Sequence, residues 1–171
     1  MTNENIDGTW SYKQILVAVD QSEPSKKAFN QAVAIAKAFQ AKLNLIHVIS
    51  SLQEEYQDLS ALAVDGGYYP AVTDDVLQQR WESLEEEGLE FLRSLKEIAT
   101  AHGVSTEFTQ MIGQAEQKIC EFAQSLNADL IVIGSHGRTG LSELFLGSVS
   151  NYVSHHVPCA VLIVHQAEDE A

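Results

Sequence analysis

An open parallel sheet with helices on both faces, an α/β fold, follows from two features of the sequence. Short β-branched apolar runs alternate with segments whose apolar residues recur at helical spacing, giving five strands with helices between them. The run at 14–20, "QILVAVD", is almost continuously apolar rather than alternating, as a strand buried on both faces is. Regular β-α alternation implies parallel strands joined by right-handed crossovers.

Each element has its own signal. After the first strand, "SEPSKKAFNQAVAIAKAFQA" places Ala28, Phe29, Ala32, Val33, Ala36 and Phe39 at helical spacing. A second strand is predicted over 42–50, "KLNLIHVIS". From Asp74 to His102 the helical period returns through Leu77, Trp81, Leu84, Phe91, Leu92, Leu95 and Ile98, with Gly103 as the C-terminal cap. The acidic run "ESLEEEGLE" within it reads as a solvated face. "VSTEFTQMI" (104–112) is a third strand, polar enough for a sheet edge. A helix over "AEQKICEFAQSL" turns Ile119, Phe122, Ala123 and Leu126 inward. "ADLIVIG" is the fourth strand, "SVSNYVSHH" a helix stopped by Pro158, and "CAVLIVH" the last strand. One domain spanning 1–171 accounts for the chain, with a long loop insertion at about 51–73 that holds Gly66, Gly67 and Pro70.

Composition narrows the function classes. With 171 residues, 45% apolar and 20% charged, the chain is large enough to bury a core without disulfides or a structural metal. Acidic residues outnumber basic ones 24 to 10, a net charge of −14 that repels phosphate backbones and anionic membranes. No nucleic-acid or membrane partner is therefore expected. Cys120 and Cys159 stand in apolar surroundings without metal-ligand spacing and read as buried thiols of a reducing compartment. The polar start "MTNENIDGTWSYKQ" has no signal-peptide pattern, and the protein is expected in the cytoplasm.

The concentration of glycine at 134, 137, 140 and 147 is the strongest functional signal among only ten glycines. A glycine-rich turn leaving the carboxyl end of a strand turns backbone N–H groups inward, and a helix N-terminus beyond it favours anions. The P-loop pattern G-x-x-x-x-G-K-S/T is absent, and G-S-H-G-R-T-G after a late strand does not match the dinucleotide pattern G-x-G-x-x-G.

The spacing Gly134-x-x-Gly137, nine residues, then Gly147-Ser148 resembles the G-x2-G-x9-G-S/T signature of the universal stress protein family, in its ATP-binding branch. "ILVAVDQSEPSKKA", "LNLIHVI", "GQAEQKI" and "PCAVLIV" resemble that family's first strand, second strand, glycine turn and closing strand, in order. The resemblance implies a five-stranded parallel sheet of order 3-2-1-4-5, the adenine-nucleotide alpha-hydrolase-like arrangement. In that order the first and fourth strands lie side by side with crossovers to opposite faces, so Asp20 and Gly134 flank one crevice. Carried over by position, Ala18, Val19 and Asp20 line the nucleoside end, and the backbone of Val48 pairs with the adenine edge. Ile133 and Gly134 pack under the ribose. Gly137, Arg138, Gly147, Ser148 and Val149 hold the phosphates, Ser148 also capping the last helix. The implied ligand is ATP, ADP or AMP, with Mg²⁺ carried by the phosphates, and the implied assembly is a homodimer through the edge strand Ala160–His165.

Simpler roles compete at each position. Asp20 also fits an N-terminal cap of the first helix, and the glycines also fit turns of positive φ. Gly140 lies outside the signature. His136 reads as a polar loop residue, and adjacent His155 and His156 lack the spaced companions a metal site needs. No serine or cysteine nucleophile with a paired acid is evident, so the chain is not expected to be an enzyme. Two readings remain: a nucleotide-binding stress or signalling protein, and a nucleotide-free dimeric interaction module of the same family. An ATP pyrophosphatase or nucleotidyl transferase would need a different loop after the first strand.

Overall fold

The structure, a computed structural model, describes residues 11–49, 74–135 and 147–165. Five strands and four helices alternate: β1 (Gln14–Ala18), α1 (Glu23–Phe39), β2 (Lys42–Ile49), α2 (Asp74–Ala101), β3 (Thr106–Ile112), α3 (Ala115–Leu126), β4 (Leu130–Gly134), α4 (Ser148–His156) and β5 (Ala160–Val164). All pairings are parallel and the strand order is β3-β2-β1-β4-β5. The polar strand β3 is an edge, as its composition predicts. The 51–73 insertion lies outside the described residues.

Strand β1 explains the layering. Ile15, Leu16 and Val17 are fully buried and point alternately to the two faces. Ile15 and Val17 join Leu43, Leu45 and Val132 against Ala28, Phe29 and Ala32 of α1 and Leu92, Leu95 and Ala99 of α2. Leu16 joins Ile46, Ile131 and Ile133 against Ile119, Cys120 and Ala123 of α3 and Val153 of α4. The crossovers therefore change face between β3 and β4, leaving β1 and β4 as neighbours whose connections diverge.

Several element ends differ from the expectation for local reasons. β1 stops at Ala18 because the Asp20 N–H turns to the Ser25 hydroxyl at 2.8 Å instead of the ladder. β3 starts at Thr106 because the Val104 N–H is still bonded to Ala99 O (3.1 Å), closing α2 behind Gly103 at φ +80. Phe39 and Ile98 do not enter the core; they are 41% and 47% exposed. Phe39 lies in the last turn of α1, edge-on to Tyr12 at 5.1 Å, and Ile98 falls on the flank of the Leu92–Leu95–Ala99 stripe. Cys120 is a free thiol inside the core, whereas Cys159, expected to be buried, is a free thiol only half-buried against it; burial pushes both toward the protonated form.

The acidic run of α2 is solvated only in part. Glu82, Glu86, Glu87 and Glu90 are exposed, but Gly88 is buried where the helix meets β2 and β3. A Cβ there would collide with Gln110 Oε1 and come within 2.8 Å of His47 Nδ1. Gln110 Nε2 donates to Glu85 O at 3.0 Å, its Oε1 lies 3.3 Å from His47 Nδ1, and the His47 ring sits edge-on to Phe91 at 6.0 Å. This polar anchor sets the approach of α2. Gly88→Ala is expected to lower stability by about 1–2 kcal/mol despite alanine's better helix propensity, because the added methyl displaces both side chains. Chemical denaturation of the variant measures it, and a gain in stability would contradict the packing.

Candidate functional site

The carboxyl ends of β1 and β4 lie side by side, with Ala18 in register with Ile133. Ala18 is half-buried, Val19 is buried, and Asp20 is half-buried in the turn into α1. Asp20 Oδ1 accepts from the Ser22 N–H at 2.8 Å, while Ser22 Oγ accepts from the Ser25 N–H at 3.3 Å. The cap of α1 is thus Ser22, not Asp20, and Asp20 is fixed by an Asx turn one step earlier. Ser25, 4% exposed, locks the turn from behind through its hydroxyl.

Gly134 does not serve as a turn of positive φ; its role is close approach. A Cβ built on it would lie 2.7 Å from Pro24 C, 2.8 Å from Pro24 O and 2.8 Å from Ser25 N. These are backbone atoms of the first turn of α1, so they cannot swing aside. One short stretch, 22–25, therefore holds Asp20 on one side and seats against Gly134 on the other. The Ile133 side chain, 5% exposed, is spent on the α3/α4 core, which leaves its backbone as the part nearest the β1 end.

Val48 occupies a related position on β2. The Val19 N–H donates to Ile46 O at 2.9 Å, and among the described residues it is the last backbone bond of the β1–β2 seam. Because backbone groups alternate along a strand, Ile46 and Val48 turn theirs to the same side. The Val48 N–H and C=O therefore face the β1 side just where that chain has turned away into α1, while Leu43 and Ile49 bond to the β3 side. A planar heterocycle with one donor and one acceptor fits such an edge.

At the far end, Gly147 is the N-cap of α4 with φ −55 and ψ 153, and Ser148 is the first helical residue, exposed and making no capping bond. The expected Ser148 cap is thus shifted by one residue: the extended backbone at Gly147 leaves Gly147 O to accept from the Asn151 N–H (2.9 Å) and from Ser150 Oγ (3.0 Å). Val149 is half-buried against the α3/α4 core, which aims the helix. Gly137, Arg138, Gly140 and His136 lie outside the described residues. His155 and His156 are exposed in the last turn of α4, where His156 stacks on Tyr152 with ring centroids 3.7 Å apart and its Nδ1 donates to Tyr152 O. Among the described residues no group of three or more histidine, cysteine or acidic side chains is placed to hold a metal, and no helix is long and apolar enough to cross a membrane.

The residues that sequence reasoning passed over are Ser22 and Ser25. Their spacing, serine then serine three residues later with proline between, is itself a helix-start signal. Replacing Gly134 with alanine should cost about 1–3 kcal/mol by overpacking against backbone, readable as a fall in the denaturation midpoint. An unchanged midpoint would contradict the close approach.

The universal stress protein family model matches residues 11–165. A universal stress protein of Synechocystis sp., Sll1388, is 36% identical over 153 residues, covering 90% of this chain and 97% of that protein. The solved universal stress protein UspA from Lactobacillus plantarum superposes with a TM-score of 0.71 at 26% identity, over 91% of this chain and 99% of that one. A universal stress protein solved in complex with cAMP superposes with a TM-score of 0.63 at 25% identity, over 92% of this chain and 100% of that one.

Proposed function

The chain belongs to the universal stress protein family, and on that premise we propose that it is an adenine-nucleotide-binding stress-response or signalling protein of the ATP-binding branch. The observation that carries the reading is the crevice between β1 and β4. Asp20 and Gly134 meet there on one turn of α1, and the backbone of Val48 faces it beyond the end of β1. The glycine signature from Gly134 to Gly147-Ser148 supports phosphate binding, and the cAMP complex of a relative supports an adenine nucleotide.

In this reading Ala18, Val19 and Asp20 line the nucleoside end and Val48 pairs with adenine. Ile133 and Gly134 form the floor under the ribose. Gly137, Arg138, Gly147, Ser148 and Val149 take the phosphates, with the N–H groups of the first turn of α4 as donors. The ligand is ATP, ADP or AMP, its phosphates bridged by Mg²⁺. The net charge of −14 opposes such an anion, so affinity arises from local backbone donors, the helix N-terminus and Arg138. The role is occupancy-dependent signalling in the cytoplasm by a single-domain chain, with at most slow hydrolysis of ATP.

The same reading includes a homodimer through Ala160–His165. β5 is an edge strand whose Val161, Leu162 and Ile163 are only half-buried, an apolar edge that a second copy would cover by isologous antiparallel pairing. Sedimentation equilibrium at micromolar concentration is expected to return twice the chain mass. A single-chain mass would remove the dimer from the proposal.

Calorimetry tests binding. Protein stripped of ligand and supplied with Mg²⁺ should bind ATP, ADP or AMP; a micromolar dissociation constant corresponds to about 8 kcal/mol. Gly137→Val and Gly147→Val should abolish the heat while the fold persists, since the φ and ψ of Gly147 are open to any residue and a branched side chain would block the phosphates. No heat and no thermal shift at millimolar nucleotide would overturn the reading in favour of a nucleotide-free dimeric interaction module.

A further inference from the structure

Ser135 directly follows Gly134 and opens the segment that carries Gly137 and Arg138, yet its contacts run sideways to the edge strand. Its N–H donates to Val164 O at 2.8 Å. Its hydroxyl lies 3.3 Å from the same carbonyl and 2.9 Å from Nδ1 of His165. Ser135 is 3% exposed, whereas His165, just past the end of β5, is exposed. A buried hydroxyl at the root of the glycine loop is thus bonded to a surface imidazole on the sheet's outer edge.

One hydroxyl proton faces two acceptor positions. With Nδ1 bare, the hydroxyl donates to the imidazole, and Val164 O keeps the Ser135 N–H as its partner. With a proton on Nδ1, the imidazole donates to Oγ and the hydroxyl turns to Val164 O. Both arrangements leave the Ser135 hydroxyl, His165 Nδ1 and Val164 O bonded, so neither carries the cost of an unsatisfied buried group. Any displacement of Ser135 also reaches the backbone of β5 directly, because the Ser135 N–H is bonded to Val164 O.

We propose that Ser135 and His165 couple the nucleotide crevice to the β5 edge: occupancy of the glycine loop switches the hydrogen bonding of this pair and so alters the edge on which a second copy pairs. The inference rests on the nucleotide reading above. Its physical content is an element with two discrete arrangements that both sites bias, and the coupling is reciprocal, so dimer formation changes nucleotide affinity by the same factor.

The test uses the full-length protein with ¹⁵N-labelled histidine and glycine, titrated with Mg²⁺ and ATP while the Gly134 amide reports binding. The His165 Nδ1 resonance should move with saturation while that of His102, whose ring bonds to Ile98 O on α2, stays in place. Saturating nucleotide should also change the dimer dissociation constant by about fivefold or more, the lower range of allosteric coupling. In Ser135→Ala the nucleotide should still bind, His165 should stay silent and the change in dimer affinity should collapse; Ser135→Thr, which keeps the hydroxyl, should restore both. Should Ser135→Ala fail to fold, the exposed His165→Asn gives the same dimer readout. A wild-type His165 that stays still while Gly134 reports binding would overturn the coupling and leave the nucleotide reading intact. So would a full dimer response in Ser135→Ala or His165→Asn. Absence of binding at Gly134 would remove both.

Discussion

The first turn of α1 rests on the backbone of β4, and much of the crevice depends on that contact. Gly134 admits it because hydrogen occupies the place where a side chain would meet Pro24 and Ser25 within 2.7–2.8 Å. The contact carries two consequences at once. It lets the β1-to-α1 turn fold down tightly enough for Ser22 and Ser25 to hold Asp20, and it brings that turn beside the β4 end. A larger residue at 134 would separate the two strand ends that the crevice needs, even with every other side chain unchanged.

The same economy appears on the far side of the sheet. Gly88 lets α2 lie close over His47 and Gln110, and the Gln110 amide ties the helix backbone to β3. Both contacts use a missing Cβ to let a helix approach a strand, but their neighbours differ. At Gly134 the neighbours are backbone, which cannot yield. At Gly88 they are side chains, which yield at the cost of their hydrogen bonds. This difference separates a position that shapes the crevice from one that orients a covering helix.

Electrostatics and geometry act on different scales in this molecule. A net charge of −14 repels anions at long range, whereas the first-turn N–H groups of α4 and the backbone of Val48 act only within a few ångströms. Ion pairs contribute little to the frame. Those among the described residues, Lys26 with Glu23, Lys42 with Glu107, Arg80 with Glu87 and Lys118 with Glu121, each have an exposed carboxylate at the surface.

Local sequence determined the elements. The uninterrupted apolar run of β1, the helical stripe from Ala28 to Ala36, the Gly103 stop and the polar edge strand β3 are each legible because burial and periodicity leave their mark on consecutive residues. The glycine spacing from 134 to 147 is legible for a different reason, its resemblance to a family signature. Tertiary structure decided what depends on residues far apart in the chain. That Gly134 is a packing glycine follows from Pro24, more than a hundred residues earlier. The outward backbone of Val48 follows from the point at which β1 ends, the burial of Gly88 from His47 and Gln110, and the Ser135–His165 bond from the pairing of β4 with β5. Periodicity records which face of an element is buried; only the packed sheet sets which atoms meet across it.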